Sequence, residues 1–338
     1  KLIKGVINMN NLKKVGLTAL AGALVSFSAN AVEMSVSGGA SIGFTGEEKV
    51  NTGNGWSMSD GLTFTGSGEM DNGWNVTVKQ IIDSSDGVAG VIMDTRTMAI
   101  DMGDSGTLTF SGTGGSSVLA AIDDVTPTAV EESWDDVTGA DTIPGGTGGD
   151  NMFHYSNSSL MDGVTVSASY TPSNGATALD SSMDYGILYT GVEGLSVYAA
   201  AGENNNAAAG IDNTMFGAKY AMGAFTIGYQ VNETDSSTAS ADEEFTALGV
   251  SYAVSDDLSV SLNSSTIDFE SGTNDQEATG ISFSYTTGGL TISGSHSTVD
   301  NVGGSASADN TGYEINFIFA FAFKDKNVRN SRNIRKTI

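Results

Sequence analysis

Along almost the whole chain, apolar residues alternate with small polar ones. The pattern starts with Val32, Met34, Val36, Ala40, Ile42 and Phe44 on one parity, and Ser35, Ser37, Gly39 and Ser41 on the other. A period of two is what a strand with two unlike faces requires. It recurs through Leu62/Phe64, Trp74/Val76/Val78, Met98/Ile100/Met102, Leu108/Phe110, Phe153/Tyr155, Val164/Val166/Ala168/Tyr170, Tyr185/Ile187/Tyr189 and Leu195/Val197. It continues in Phe216/Ala218/Tyr220, Phe225/Ile227/Tyr229, Leu248/Val250/Tyr252, Leu258/Val260/Leu262, Ile281/Phe283/Tyr285, Leu290/Ile292 and Tyr313 to Phe323, which makes sixteen strands. No internal stretch approaches the roughly 20 consecutive apolar residues of a membrane helix, whereas alternating strands of about 9–11 residues cross a bilayer without raising the mean hydropathy. The mean hydropathy is −0.06.

The connections sort by length. Tight links fall at 71–73, 103–106, 161–163, 191–194, 222–223, 255–257 and 288–289, and longer segments rich in Gly, Asn, Asp and Ser fall between them. Strict alternation of short and long is what an even-stranded antiparallel barrel with both termini on one side demands, with short periplasmic turns and long external loops. The polar parity carries Ser, Thr, Gly and Asn, as in Thr107/Thr109 and Ser259/Ser261/Asn263, in place of the Lys and Glu of a soluble sandwich. A barrel of 16 to 18 strands is wide enough for an aqueous channel. The sequence therefore predicts an all-β, 16-stranded antiparallel transmembrane β-barrel lined by small polar groups.

Both ends differ from the body. Residues 1–8 read as upstream leader, and residues 9–31 as a signal peptide with Lys13 and Lys14, an apolar stretch from Val15 to Phe27 and an Ala-x-Ala exit at Ala31. The barrel is expected over 32–323, followed by a basic tail over 324–338 of unrelated composition. With the ends removed, 39 acidic residues face four bases, Lys49, Lys79, Arg96 and Lys219. So acidic a body repels phosphate backbones, which removes nucleic acid as a partner. The absence of cysteine and the presence of only two histidines argue against thiolate metal sites and cysteine nucleophiles. Neither His154 nor His296 sits in a recognisable catalytic pattern, so no enzyme, cofactor or metal site is expected.

The closing segment, Tyr313-Glu314-Ile315-Asn316-Phe317-Ile318-Phe319-Ala320-Phe321-Ala322-Phe323, resembles the last strand of Gram-negative outer-membrane proteins. The body as a whole resembles general diffusion porins of the trimeric 16-stranded kind, those of marine alphaproteobacteria in particular, most specifically over Tyr313 to Phe323 and Ala120 to Pro127. The resemblance implies a water-filled channel in the cell outer membrane for small hydrophilic solutes and ions, working as a homotrimer among outer-membrane lipids. It implies further that Tyr313, Phe319, Phe321 and Phe323 form the signal read by the barrel assembly machinery. The alternative open from the residues is an extracellular acidic β-rich surface protein, of adhesin or surface-layer type.

The connection over 113–150 is far longer than the others, and long connections of this kind are usually functional. Its acids include Asp123, Asp124, Glu131, Glu132, Asp135 and Asp136, with no base among them, and Ile122, Val125, Val130 and Trp134 supply apolar anchors. The resemblance implies that this third loop folds inward as the pore constriction, which would favour cations. It also implies a basic cluster on the facing wall, for which Lys79, Arg96 and Lys219 are the candidates.

Overall fold

The computed structural model describes residues 33–50, 53–84, 92–122, 124–143, 148–173, 180–205, 210–238, 241–271 and 274–323. The expected leader, signal peptide, basic tail and Asp123 lie outside the described residues. Sixteen strands follow one another: β1 (Glu33–Glu47), β2 (Trp56–Glu69), β3 (Asn75–Ser84), β4 (Ile92–Asp101), β5 (Thr107–Thr113), β6 (Met152–Met161), β7 (Val164–Thr171) and β8 (Ser182–Tyr189). They continue with β9 (Leu195–Asn204), β10 (Ile211–Met222), β11 (Phe225–Ser236), β12 (Glu243–Ala253), β13 (Leu258–Phe269), β14 (Gln276–Thr287), β15 (Leu290–Asp300) and β16 (Asn310–Phe323). Each pairs antiparallel with its sequence neighbour, and β16 returns to β1 in a register from Val36 opposite Phe323 to Glu47 opposite Gly312. Closure leaves no free sheet edge, the condition for strands in hydrocarbon. No helix among the described residues is long and apolar enough to cross a membrane.

The period of two becomes two faces. Leu262 and Ile281, register partners on β13 and β14, are 55% and 56% exposed on the outside. Their chain neighbours Ser261 and Ser282 point inward and share a 2.7 Å hydroxyl contact. The outer apolar surface therefore packs against no other element among the described residues and suits lipid, while hydroxyls and amides line the inside. At the tight turn into β7, Gly163 has φ 72°, a left-handed conformation that side chains tolerate poorly.

A wide barrel has no central core. Its buried apolar groups gather where the long connection between β5 and β6 meets the wall. One cluster joins Trp134 and Val137 to Phe245, Ala247, Ile267, Ala278 and Val299; the other joins Leu119 and Val125 to Met215.

Candidate channel constriction

The connection over 114–151 runs along the inside of the barrel. Its neck is a two-residue ladder, Gly115–Ser116 against Gly148–Gly149. A short helix α1 (Val118–Ile122) follows. Its free N-terminal N–H groups are taken up by the wall: Val118 donates to Ser169 Oγ on β7 at 3.0 Å and Leu119 to Asp184 Oδ2 on β8 at 3.4 Å. Unsatisfied donors at a helix start need such acceptors, which is why the chain enters the lumen here.

Beyond the helix the loop crosses one strand after another. Val125 and Thr126 donate to Gln230 Oε1 on β11, Ala129 donates to Ser261 Oγ on β13 at 2.9 Å, and the Ser133 and Ser265 hydroxyls meet at 3.0 Å. Trp134 packs edge-on against Phe245 with ring centroids 5.2 Å apart. Ser297 on β15 donates to Asp136 Oδ2 at 3.2 Å, and Thr138 donates through its N–H and Oγ1 to the Glu47 carboxylate on β1. Asp141 N–H ends the traverse on Gln276 Oε1 at 2.7 Å. The apolar anchors Val125 and Trp134 belong to the two buried clusters, and Ile122 packs, half-buried, against the cluster that holds Val125.

The loop brings Glu131, Glu132 and Asp135 together, with carboxylate oxygens all within 4.8 Å of one another. Asp124 and Asp135 are exposed to the channel, and Glu131 and Glu132 are half-buried. Burial, followed by hydrogen bonding to and repulsion from Asp135, pushes the Glu131 carboxyl up to about 7. Burial and hydrogen bonds to Asp124 and Asp135 push Glu132 up to about 11. Asp136 is raised by burial, against the lowering pull of the Ser295 and Ser297 hydroxyls. Clustered carboxylates cannot all ionise together, so protons are shared among them at neutral pH. The formal charge of the loop consequently overstates its field. Glu314 acts on Glu131 from the wall. In the sequence it is merely one polar-parity residue of the closing strand, and only the register of β15 and β16, Ser295 opposite Glu314, brings it to the cluster.

The basic candidates separate. Lys79 stands opposite Thr65 and Thr97, on the inward face of β3. Lys219 stands inward on β10, half-buried, its Nζ 5.8 Å from the centre of the Tyr198 ring. Arg96 does not belong with them. It is opposite Gln80, on the same face as Met98 opposite Val78, both of which are over 40% exposed on the outside. The bulge beside it lies in β5, where Gly112 is passed over between Ser111 opposite Thr97 and Thr113 opposite Arg96, and the guanidinium lies over the Gly112 carbonyl at 3.5 Å. Arg96 thus keeps the outward parity of Met98, and the inner-wall position that the resemblance implied for it is not the one observed. In the closing strand Tyr313, Phe319 and Phe321 are exposed outward, and Phe323 extends the ladder to Val36.

The sequence misses one set of residues altogether. Gly228, Gly249, Gly280 and Gly312 lie on the inward face beneath the loop, and none has a left-handed φ. Read along the chain, they are indistinguishable from other small lumen residues.

A closed 16-stranded barrel with a polar interior, an apolar exterior and a loop laid inside it is the architecture of an outer-membrane channel. The sequence profile of the Gram-negative porins matches residues 16–279, and the chain belongs to that family. It is an outer-membrane protein forming a diffusion channel, which sets aside the surface-protein alternative. No curated protein sequence matches it. Among solved structures, a variant of Rh. blastica porin superposes with a TM-score of 0.65 at 15% identity, over 86% of this chain and 100% of that one. The anion-selective porin from Comamonas acidovorans gives 0.65 at 13% identity, over 86% and 100%. Salmonella typhi OmpF in complex with daunomycin gives 0.69 at 12% identity, over 86% and 98%. At these identities the likeness is one of fold.

Proposed function

We propose that this channel is narrowed by the loop over 114–151, passes small hydrophilic solutes and prefers cations. The observation that carries the reading is the position of Asp124, Glu131, Glu132 and Asp135 on a loop laid against the inner wall. Among the described residues, the inward bases that could oppose them are Lys79 and Lys219. Fixed charge in a narrow passage is screened less than on an open surface, so a few ionised carboxylates set the sign of selectivity. A fold shared with an anion-selective porin does not itself choose that sign; the side chains do. The loop touches β7 to β16 and β1, leaving Lys79 on a wall free of it, and this supports a transverse field between acidic loop and basic wall.

We also read the chain as a homotrimer. The Vibrio cholerae OmpT structure, of like fold, is described as a trimer form, and the bare apolar outer face here accommodates both lipid and neighbouring copies. Outward Tyr313, Phe319 and Phe321, with the strand end at Phe323, support recognition of the closing strand by the assembly machinery.

The test is the reversal potential of purified protein in a planar bilayer under a KCl gradient. Cation sign is expected, and changing Asp124, Glu131, Glu132 and Asp135 to Asn or Gln should move it toward zero. An anion-selective wild type, or a potential unmoved by the four changes, would overturn the reading.

A further inference from the structure

The loop does not cross the wall at arbitrary heights. Lys219, Gly228, Gly249, Asn263, Gly280, Ser297, Gly312 and Glu47 are successive direct register partners, one from each strand from β10 through β16 to β1. They form a single row running perpendicular to the strands on the inner face. The loop backbone lies along this row, from Val125 near Gly228 to Asp136 against Gly312 and Thr138 on Glu47.

At the four glycines the fit leaves no room for a side chain. A Cβ on Gly228 would stand 2.6 Å from Pro127 Cδ, and one on Gly249 would stand 2.9 Å from the Pro127 carbonyl oxygen. On Gly280 it would stand 2.8 Å from Ser133 Cα, and on Gly312 it would run into the Asp136 carbonyl oxygen. These opposing atoms are backbone and proline ring, which cannot turn aside as a flexible side chain can. Turn geometry does not explain the glycines, because none has positive φ. Glycine inside a strand weakens it relative to alanine and marks places where another backbone approaches closely.

Resting on the reading of this loop as the constriction, we propose that Gly228, Gly249, Gly280 and Gly312 are the spacer that sets the aperture. By removing a layer of side chain between loop and wall they hold the loop flat and keep the passage wide. They are positioning residues that determine which solute sizes pass. Any side chain there lifts the loop toward the wall that carries Lys79, because Trp134 and Val137 hold its other edge in the apolar cluster.

The experiment uses the full-length protein in planar bilayers, with swelling of proteoliposomes in sugars of increasing size. Gly249→Ala and Gly280→Ala should each lower single-channel conductance and shift sieving to smaller sugars, and the double variant should do so further. Gly66→Ala, at a strand glycine with nothing within 4 Å, should leave both readings at wild type. Should the double variant fail to assemble, Gly228→Ala alone and with Pro127→Ala decides the matter, since shortening the ring that Gly228 faces should restore conductance. Wild-type conductance and sieving in the single variants, or a rise in conductance from a loop peeled off the wall, would overturn the spacer. A reversal potential that responds to neutralising the loop acids, together with unchanged glycine variants, rejects the spacer and leaves the constriction standing. A reversal potential that ignores those acids rejects the constriction reading itself.

Discussion

Gln230 on β11 holds Val125 through a single atom: its Oε1 accepts the Val125 N–H at 2.8 Å, and the Thr126 N–H at 3.1 Å as well. Gln230 has no solvent exposure, and its Nε2 donates to Asn232 Oδ1 at 3.1 Å. One buried amide thus fixes where the loop leaves its helix and begins to cross the wall.

Replacing Gln230 by Leu keeps much of the volume and strands two loop N–H groups. Each buried unsatisfied donor costs about 1–3 kcal/mol. The barrel should still assemble, because its ladder does not depend on this side chain, but the loop should loosen. Single-channel records should show larger and noisier conductance than wild type.

The raised pKa of Glu131 makes selectivity depend on pH near neutrality. Below about 7 the group is mostly protonated and contributes little field; above it the group ionises. Cation preference, read as reversal potential, should therefore increase as pH rises through about 7, and Glu131→Gln should flatten the change. The stability sign runs the other way. A carboxyl raised on folding binds more protons folded than unfolded, so its contribution to stability falls as pH climbs from its ordinary value of 4.5 toward about 7.

Lys79 and Arg96 should behave differently on neutralisation. Lys79→Gln removes an inward charge and should strengthen cation preference. Arg96→Gln removes an outward one and should leave the reversal potential where it was. A shift with Arg96→Gln comparable to that with Lys79→Gln would contradict the register that turns Arg96 outward.

Trp134→Ala should detach the middle of the loop while sparing the barrel. The indole is buried against Phe245, and large-to-small changes at such sites cost about 3–5 kcal/mol. Limited proteolysis should then cut within 114–151 in the variant and not in wild type, with heat resistance of the barrel itself retained.

Strand number, antiparallel order and the inward or outward direction of most side chains were determined by the sequence alone. A period of two is local, and sixteen amphipathic strands separated by alternating short and long links have few ways to close. The class of function followed from the same pattern, since a polar parity of Ser, Thr and Gly suits a water-filled interior and little else. Tertiary structure decided which of these residues meet. Arg96 went outward with Met98, on its own parity, and so does not join Lys79 and Lys219 on the inner wall. Glu314 joined the acids of the loop through the register of β15 and β16, a pairing between strands that no local signal encodes. The four glycines under the loop became a single row only when four more partners, Lys219, Asn263, Ser297 and Glu47, lined up across the barrel, because closeness between distant segments depends on how strands are staggered and not on what each strand contains.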